Sequence, residues 1–379
     1  MAPMMTFASS PAVAGGPGGG GGGSGSSGGS PLVTIVSYCS RERAFLEAVV
    51  SNARKFSDLV VVCVGTHLYT GEPEDVDAVS SLVVTDSTDA TEAGAGEAGE
   101  TCDLCAAIVA VYDVPKGLMA TPILLHNRAR EIGVYAARRA VGAGRDWWAL
   151  LLDGDEVPDG PRVRAWWRGA GGDAVRAEPH GVRKMANRWA FLHPCLVAEE
   201  LEDSVLLAHS SVVLHPHGSP LAHPRERDGV YLAHAASPLG LSDLRVHRQV
   251  LGDDGQPLFW HFSWVRGDLA SWRRQLRPAA AAAFEAASGM TPGSPEADAG
   301  SSKADTANAS TQGPEDGREA LKAKVRNWGH KNDRDWPRLI DEMFDALAAG
   351  SWPTHDFVHG YPLRMVPPDA CPIAGLVEP

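Results

Sequence analysis

The chain has 379 residues, with 34 Lys/Arg against 47 Asp/Glu, a formal net charge of −13 and 44% hydrophobic content. That apolar share supports a globular core rather than wholesale disorder. No basic stripe stands ready to neutralise phosphates, which argues against nucleic acid as a partner. No run reaches the roughly 18 apolar residues that a membrane span needs, so no transmembrane segment is expected.

In chain order, residues 1–30 read as a disordered tail. Eleven Gly fall within residues 15–30, and Gly loses the most backbone entropy on ordering while burying nothing. The stretch also lacks the charged segment and long apolar run of a secretory signal. Leu32-Val-Thr-Ile-Val36 then reads as a buried strand ending at Ser37. Residues 41–56 carry helical spacing, with Phe45, Val49 and Ala53 on one face. Leu59–Val64 is a second buried strand, stopped by Gly65. Residues 87–101 form an acidic loop. Ile108–Tyr112 is a third strand, residues 121–141 a helix, and Trp148–Leu152 a fourth strand closing on Asp153-Gly-Asp-Glu156.

Strands alternating with helices predict an α/β fold, a mixed but mainly parallel sheet with helices on both faces. Ligands of such sheets bind beyond the carboxyl ends of the strands, where Ser37, Gly65 and Asp153 fall. Residues 173–265 have shorter apolar runs and read as mixed or antiparallel additions. Residues 289–317 read as a disordered insertion. A last helix is marked by Asp335 as cap, Pro337 in its first turn and Gly350 as its stop. Its stripe is Leu339, Ile340, Met343, Phe344 and Leu347. The acidity is uneven: residues 72–101 hold nine Asp/Glu and no Lys/Arg, and residues 289–317 hold five against Lys303, which leaves the remainder near neutral.

The six cysteines (Cys39, Cys63, Cys102, Cys105, Cys195 and Cys371) are too few for a disulfide scaffold of this size. Cys102-x-x-Cys105 has no second pair to complete a zinc site. They read as reduced thiols in a reducing, cytoplasmic setting.

The sharpest feature is the cluster Asp153, Asp155 and Glu156, three carboxylates in four positions after an all-apolar strand. Unpaired, they repel one another and raise their own pKa values. A hard divalent cation, Mg²⁺ or Mn²⁺, relieves that repulsion and is commonly held by one or two carboxylates plus substrate phosphates. Gly154 permits the close backbone approach a phosphate needs. The plainer alternative is a solvated acidic turn.

The opening strand ending in Ser37, the βαβ half and Asp153-x-Asp155-Glu156 after the fourth strand resemble the family 2 type glycosyltransferases with the GT-A fold. Phe259-Trp-His-Phe-Ser-Trp-Val-Arg266, Lys324-Val-Arg-Asn-Trp-Gly-His330 and Asp356-Phe-Val-His-Gly-Tyr361 resemble the C-terminal portion of a family 2-like group. The resemblance covers roughly residues 31–278 and 318–366. It implies a GT-A-like catalytic domain over 31–288 and a C-terminal helix and tail over 318–379. It also implies a nucleotide-sugar donor and a glycan, lipid or protein acceptor. Asp155 would ligate Mn²⁺ or Mg²⁺, Asp153 the metal or the donor ribose, and His261 would be a late third ligand. Ser37, Tyr38 and Arg41 would meet the nucleotide, and Asn127 and Arg130 the donor. Trp264, Arg266, Trp328, His330 and Lys331 would close over the diphosphate or a sugar. The family's acidic pair after the second strand is replaced by Val64-Gly-Thr-His67, which leaves the base unassigned. Glu156, His330 and Asp333 are the candidates for a general base.

Two rival readings compete. Leu150-Leu-Leu-Asp-Gly-Asp-Glu-Val157 also fits a haloacid-dehalogenase-type phosphatase, with Asp153 as nucleophile, Asp155 as acid/base, Ser210 or Ser211 as a second motif and Gly252-Asp253-Asp254 as the last. The other is a non-catalytic GT-A-like module binding a glycan or nucleotide.

Overall fold

A β-branched run can be buried on both faces only where crossover helices cover both, and the structure bears this out. In a computed structural model the described residues are 6–8, 30–38, 43–68, 71–84, 105–114, 122–214, 244–265, 314–326, 334–349, 351, 360–367 and 371. The acidic loop 87–101, residues 15–29 and residues 289–313 lie outside them. The chain divides into two compact units. One holds Met1–Trp189, Leu201–His261 and Asn327–Gly329; the other holds Ala190–Glu200, Phe262–Arg326 and His330–Pro379.

The first unit is a mixed α/β layer. Its strands, of which β7 and β8 have their residues 190–200 in the second unit, are β1 (Thr6–Ala8), β2 (Leu32–Tyr38), β3 (Leu59–Gly65), β4 (Ala106–Tyr112), β5 (Trp148–Asp153), β6 (Glu156–Pro158), β7 (Gly181–Phe191), β8 (His193–His209), β9 (Arg245–Val250) and β10 (Phe259–His261). The order is β1-β4-β3-β2-β5-β8-β7-β10-β6, with β9 beside β7. Strands β4, β3, β2 and β5 are mutually parallel, whereas β8 runs antiparallel to β5 and β6 antiparallel to β10. The chain steps from β2 outward to β3 and β4, then returns to the other side of β2 as β5. This reversal of direction between β2 and β5 is a topological switch point, and open α/β sheets bind ligands beyond the carboxyl ends of the strands at such a point. Ser37 and Asp153 face each other in register across it.

Helices cover both faces. Helix α3 (Pro122–Val141) packs on the face that carries Val33, Ile35, Val61, Cys63, Ala149 and Leu151. It comes close because Gly133 has no side chain: a Cβ there would stand 2.3 Å from Ile35 Cγ2 and 2.6 Å from Cys63 Sγ. Successive strand residues alternate faces, and on the other side Leu32, Leu150 and Met185 meet Val163 and Trp166 of α4 (Gly160–Arg168). Asp159 caps α4 by accepting from the Arg162 amide. Helix α1 (Arg43–Arg54) buries Phe45, Val49 and Ala53, the predicted face. Three short helices complete the unit: α2 (Val76–Val84), α5 (Ala170–Arg176) and α6 (Ser210–Val213).

The second unit contains α7 (Pro314–Arg326), α8 (Trp336–Ala348) and β11 (Leu363–Met365). Strand β11 pairs antiparallel with the Leu196–Ala198 part of β8. Asp335 caps α8 through the Arg338 amide, and Ile340 and Met343 are buried as the stripe predicts. Gly350 lies outside the described residues.

Four expectations change. Thr6–Ala8 form a strand antiparallel to β4 inside the supposed disordered tail; a three-residue strand has too little periodicity to be read. The helix α7 starts at Pro314, so the last residues of the presumed insertion are helical. Its pairs to α8, Arg318 to Asp345 at 2.6 Å and Lys322 to Asp341 at 2.6 Å, carry the helix upstream of its buried Leu321 and Val325. Residues 190–200, placed by sequence in a single domain over 31–288, count with the C-terminal part because β11 is bonded there. Finally, Cys195 and Cys371 form a disulfide with Cα atoms 4.8 Å apart, which corrects the reduced-thiol reading for that pair; Cys63 and Cys105 are buried elsewhere in the fold. Among the described residues no helix is long and apolar enough to cross a membrane.

Candidate functional site

The site grows from the end of β5. Gly154 turns the chain directly after Asp153, and its amide donates to the Ser37 carbonyl at 3.0 Å, so the two switch-point strands are tied where they open. The chain then enters β6, whose pairing with β10 sets Glu156 opposite His261. The third neighbour in that row is Trp189 on β7. Register alone therefore brings a histidine from far down the chain beside the acidic cluster.

Side-chain geometry completes this. His261 Nε2 lies 3.4 Å from Asp155 Oδ1, and Nδ1 lies 3.5 Å from Glu202 Oε2. The Trp189 ring covers the imidazole at a centroid distance of 4.1 Å. Burial on its own would push the His261 pKa down. The carboxylates of Asp155 and Glu202 beside the ring, with the nearby charge of Glu156, outweigh it and raise the group to about 10. Asp155 itself is only 4% exposed.

Asp153 is held differently. Arg130 on α3 sets Nη2 at 2.8 and 3.0 Å from its two oxygens, and Asn127 Oδ1 accepts from Arg130 Nη1 at 3.1 Å. Glu156 is fully buried. One of its oxygens accepts from the Asp153 amide at 2.8 Å, and the other accepts from the Ser204 hydroxyl, which in turn accepts from the Asn187 amide. With both oxygens engaged inside the fold, Glu156 shapes the turn.

The cluster holds four carboxylates (Asp153, Asp155, Glu156 and Glu202) against one guanidinium and one imidazolium. That is a formal excess of two negative charges in a poorly hydrated place, which favours a divalent cation. Among the described residues no three His, Cys, Asp or Glu side chains stand together as a group that could hold a metal ion. The donors nearest to fitting an ion are Asp155 and His261, and His261, which its raised pKa keeps protonated in the absence of an ion, would have to give up its Nε2 proton to bind one. Their 3.4 Å separation matches the roughly 3.0–3.4 Å between two adjacent ligands each about 2.1 Å from one metal.

The other predicted residues divide. Ser37 and Tyr38 are buried at the end of β2, and the Arg43 guanidinium nearby holds Glu74 at 2.7 Å. Trp264 is 3% exposed and stacks on Phe191 and on Trp336, each at 5.4 Å. It is packed in the core of the second unit. Arg41, Arg266, Trp328, His330, Lys331 and Asp333 lie outside the described residues. Sequence reasoning missed Glu202, Ser204, Asn187 and Trp189. The available signal for Glu202 was its place in Glu199-Glu-Leu-Glu-Asp203, which reads as a solvated run.

No protein-family model matches the chain, and no curated protein matches it.

Proposed function

We propose that the chain is a metal-dependent glycosyltransferase of the family 2-like, GT-A type, moving a sugar from a nucleotide-diphosphate donor to a glycan, lipid or protein acceptor. The observation that carries this reading is the approach of His261 to Asp155 at 3.4 Å, at the mouth of the β2/β5 switch point where α/β sheets bind ligands. Asp155 and His261 would hold Mn²⁺ or Mg²⁺. Bound there, the ion neutralises charge building on the diphosphate leaving group. Arg130 draws Asp153 toward α3, which aims this carboxylate at the donor ribose rather than at the ion. Gly154 leaves room for the donor to approach the backbone. Of the three candidate bases, Glu156 is engaged inside the fold, which leaves His330 and Asp333.

The phosphatase reading has no supporting observation. Ser210 Oγ accepts from the Trp147 amide at the amino end of β5, roughly 20 Å of strand from Asp153. Asp254 is spent on Arg162, 2.8 Å from each of its oxygens.

The test is calorimetry with a panel of nucleotide sugars, with and without Mn²⁺. At least one donor should bind about tenfold more tightly with Mn²⁺, and Asp155→Ala should remove that gain. Absence of donor binding in both conditions, or unchanged metal dependence in Asp155→Ala, overturns the proposal. Donor hydrolysis or transfer by the wild type separates an enzyme from a binding module.

A further inference from the structure

We infer that Glu202 is the positioning residue for His261, holding the imidazole so that Nε2 faces Asp155 and any ion bound there. The inference rests on the metal-site reading above and extends it to a residue that does not itself touch the ion. The backbone of His261 is already fixed by pairing on both sides, to Glu156 of β6 and Trp189 of β7. What remains free is rotation of the ring. Three contacts stop it: Asp155 at Nε2, Glu202 at Nδ1 and the tilted Trp189 ring at 47° over the face.

A histidine that ligates a metal through Nε2 keeps its other ring proton on Nδ1, and that proton needs an acceptor. Glu202 Oε2 lies 3.5 Å away, an ion-pair distance, from which a small rotation of either side chain would make it that acceptor. An anionic acceptor also makes the imidazole a stronger electron donor through its far nitrogen, which tightens the bond to a cation. Burial agrees with this role. In the run Glu199-Glu-Leu-Glu-Asp203, Glu199 and Glu200 are exposed, whereas the Glu202 side chain is 17% exposed beside a His261 side chain at 10%. A carboxylate turned inward toward another acidic cluster is unfavourable unless the imidazole between them is the reason for it.

The test uses the full chain and Mn²⁺ alone, with free ion followed by electron paramagnetic resonance and folding checked by circular dichroism. Glu202→Ala should weaken Mn²⁺ binding about 10–100-fold. The isosteric Glu202→Gln, which keeps an acceptor but loses its charge, should fall between Glu202→Ala and wild type. Because Glu202 acts through His261, adding Glu202→Ala to His261→Ala should weaken binding no further. Nitrogen coupling to the bound Mn²⁺, seen by electron–nuclear double resonance, should vanish in His261→Ala and change in Glu202→Gln. Wild-type affinity in both Glu202 variants, or additive losses in the double variant, overturns the inference while leaving the metal site standing. A wild-type chain that binds no Mn²⁺ overturns both.

Discussion

Arg130 reaches from α3 to the end of β5 and sets one guanidinium nitrogen within 3.0 Å of both carboxylate oxygens of Asp153. The side chains are 9% and 20% exposed, so each charge gives up much of its hydration and depends on the other. Breaking one partner of such a pair costs more than the pair contributes, because the remaining charge is stranded. Arg130→Leu and Asp153→Asn should each lower unfolding free energy by about 1–3 kcal/mol, less than a fully buried pair because of the partial exposure. The double variant should cost clearly less than the two together. Urea unfolding of the four proteins measures this, and strict additivity would show that the pair is only a neighbourly contact.

Glu156 tests whether the acidic triplet is one functional unit or two. It accepts from the Asp153 amide and from Ser204 at zero exposure. Glu156→Gln replaces one acceptor oxygen with a donor and leaves a buried amide or hydroxyl unsatisfied. A loss of about 1–3 kcal/mol follows, visible as a drop of several degrees in Tm. Mn²⁺ affinity of the folded protein should fall far less than in Asp155→Ala. If Glu156→Gln abolishes Mn²⁺ binding at unchanged Tm, Glu156 is a ligand after all.

The parts of this architecture visible in sequence are those where one signal acts alone. β2, β3 and β5 are continuous apolar runs buried on both faces, so Leu32–Val36, Leu59–Val64 and Trp148–Leu152 locate them to within a residue or two. Asp335 and the Ile340–Met343 stripe mark α8 for the same reason. The strands β6 and β10 have three residues each and are made by pairing, which no local pattern encodes. The site was half legible. Asp155 and His261 carry chemistry that stands out by residue type. The Arg130–Asp153 bond exists only because α3 packs by the end of β5, and Glu202 meets His261 only because β8, β7 and β10 lie side by side. Trp264 was legible only as an aromatic side chain, because an indole suits a sugar face and an aromatic core equally well.

His193 supplies a pH dependence separate from the acidic site. It is largely buried, and burial lowers its pKa from 6.5 to about 4. Its Nδ1 accepts from the Cys195 amide at 3.1 Å, which requires that nitrogen to be unprotonated. Between pH 6.5 and 4 the unfolded chain therefore binds a proton that the folded chain refuses. Stability falls as pH drops through that window, by at most about 3 kcal/mol, and this contribution is flat above it. Other carboxylates titrate nearby, so the quantity to measure is the difference in unfolding free energy between wild type and His193→Gln from pH 7.5 to 4. A constant difference would mean that His193 stays solvated.

The Cys195–Cys371 bond joins residues 176 positions apart, so sequence offered no way to pair them among six cysteines. Backbone bonds already align the two partners' surroundings: β11 pairs with Leu196–Ala198, and the Val366 amide donates to the Cys195 carbonyl at 2.8 Å. Closing so long a loop restricts the unfolded chain strongly, worth about 2–5 kcal/mol. Cys63 and Cys105, both buried, are poorly placed to compete by exchange. A peptide map without reductant should recover Cys195 linked to Cys371. Cys195→Ser, or dithiothreitol on the wild type, should lower the unfolding midpoint to the same value, and dithiothreitol should then leave Cys195→Ser unchanged. If alkylation of the native protein labels both thiols, or if Cys195→Ser unfolds at the wild-type midpoint, the bond does not hold this unit together.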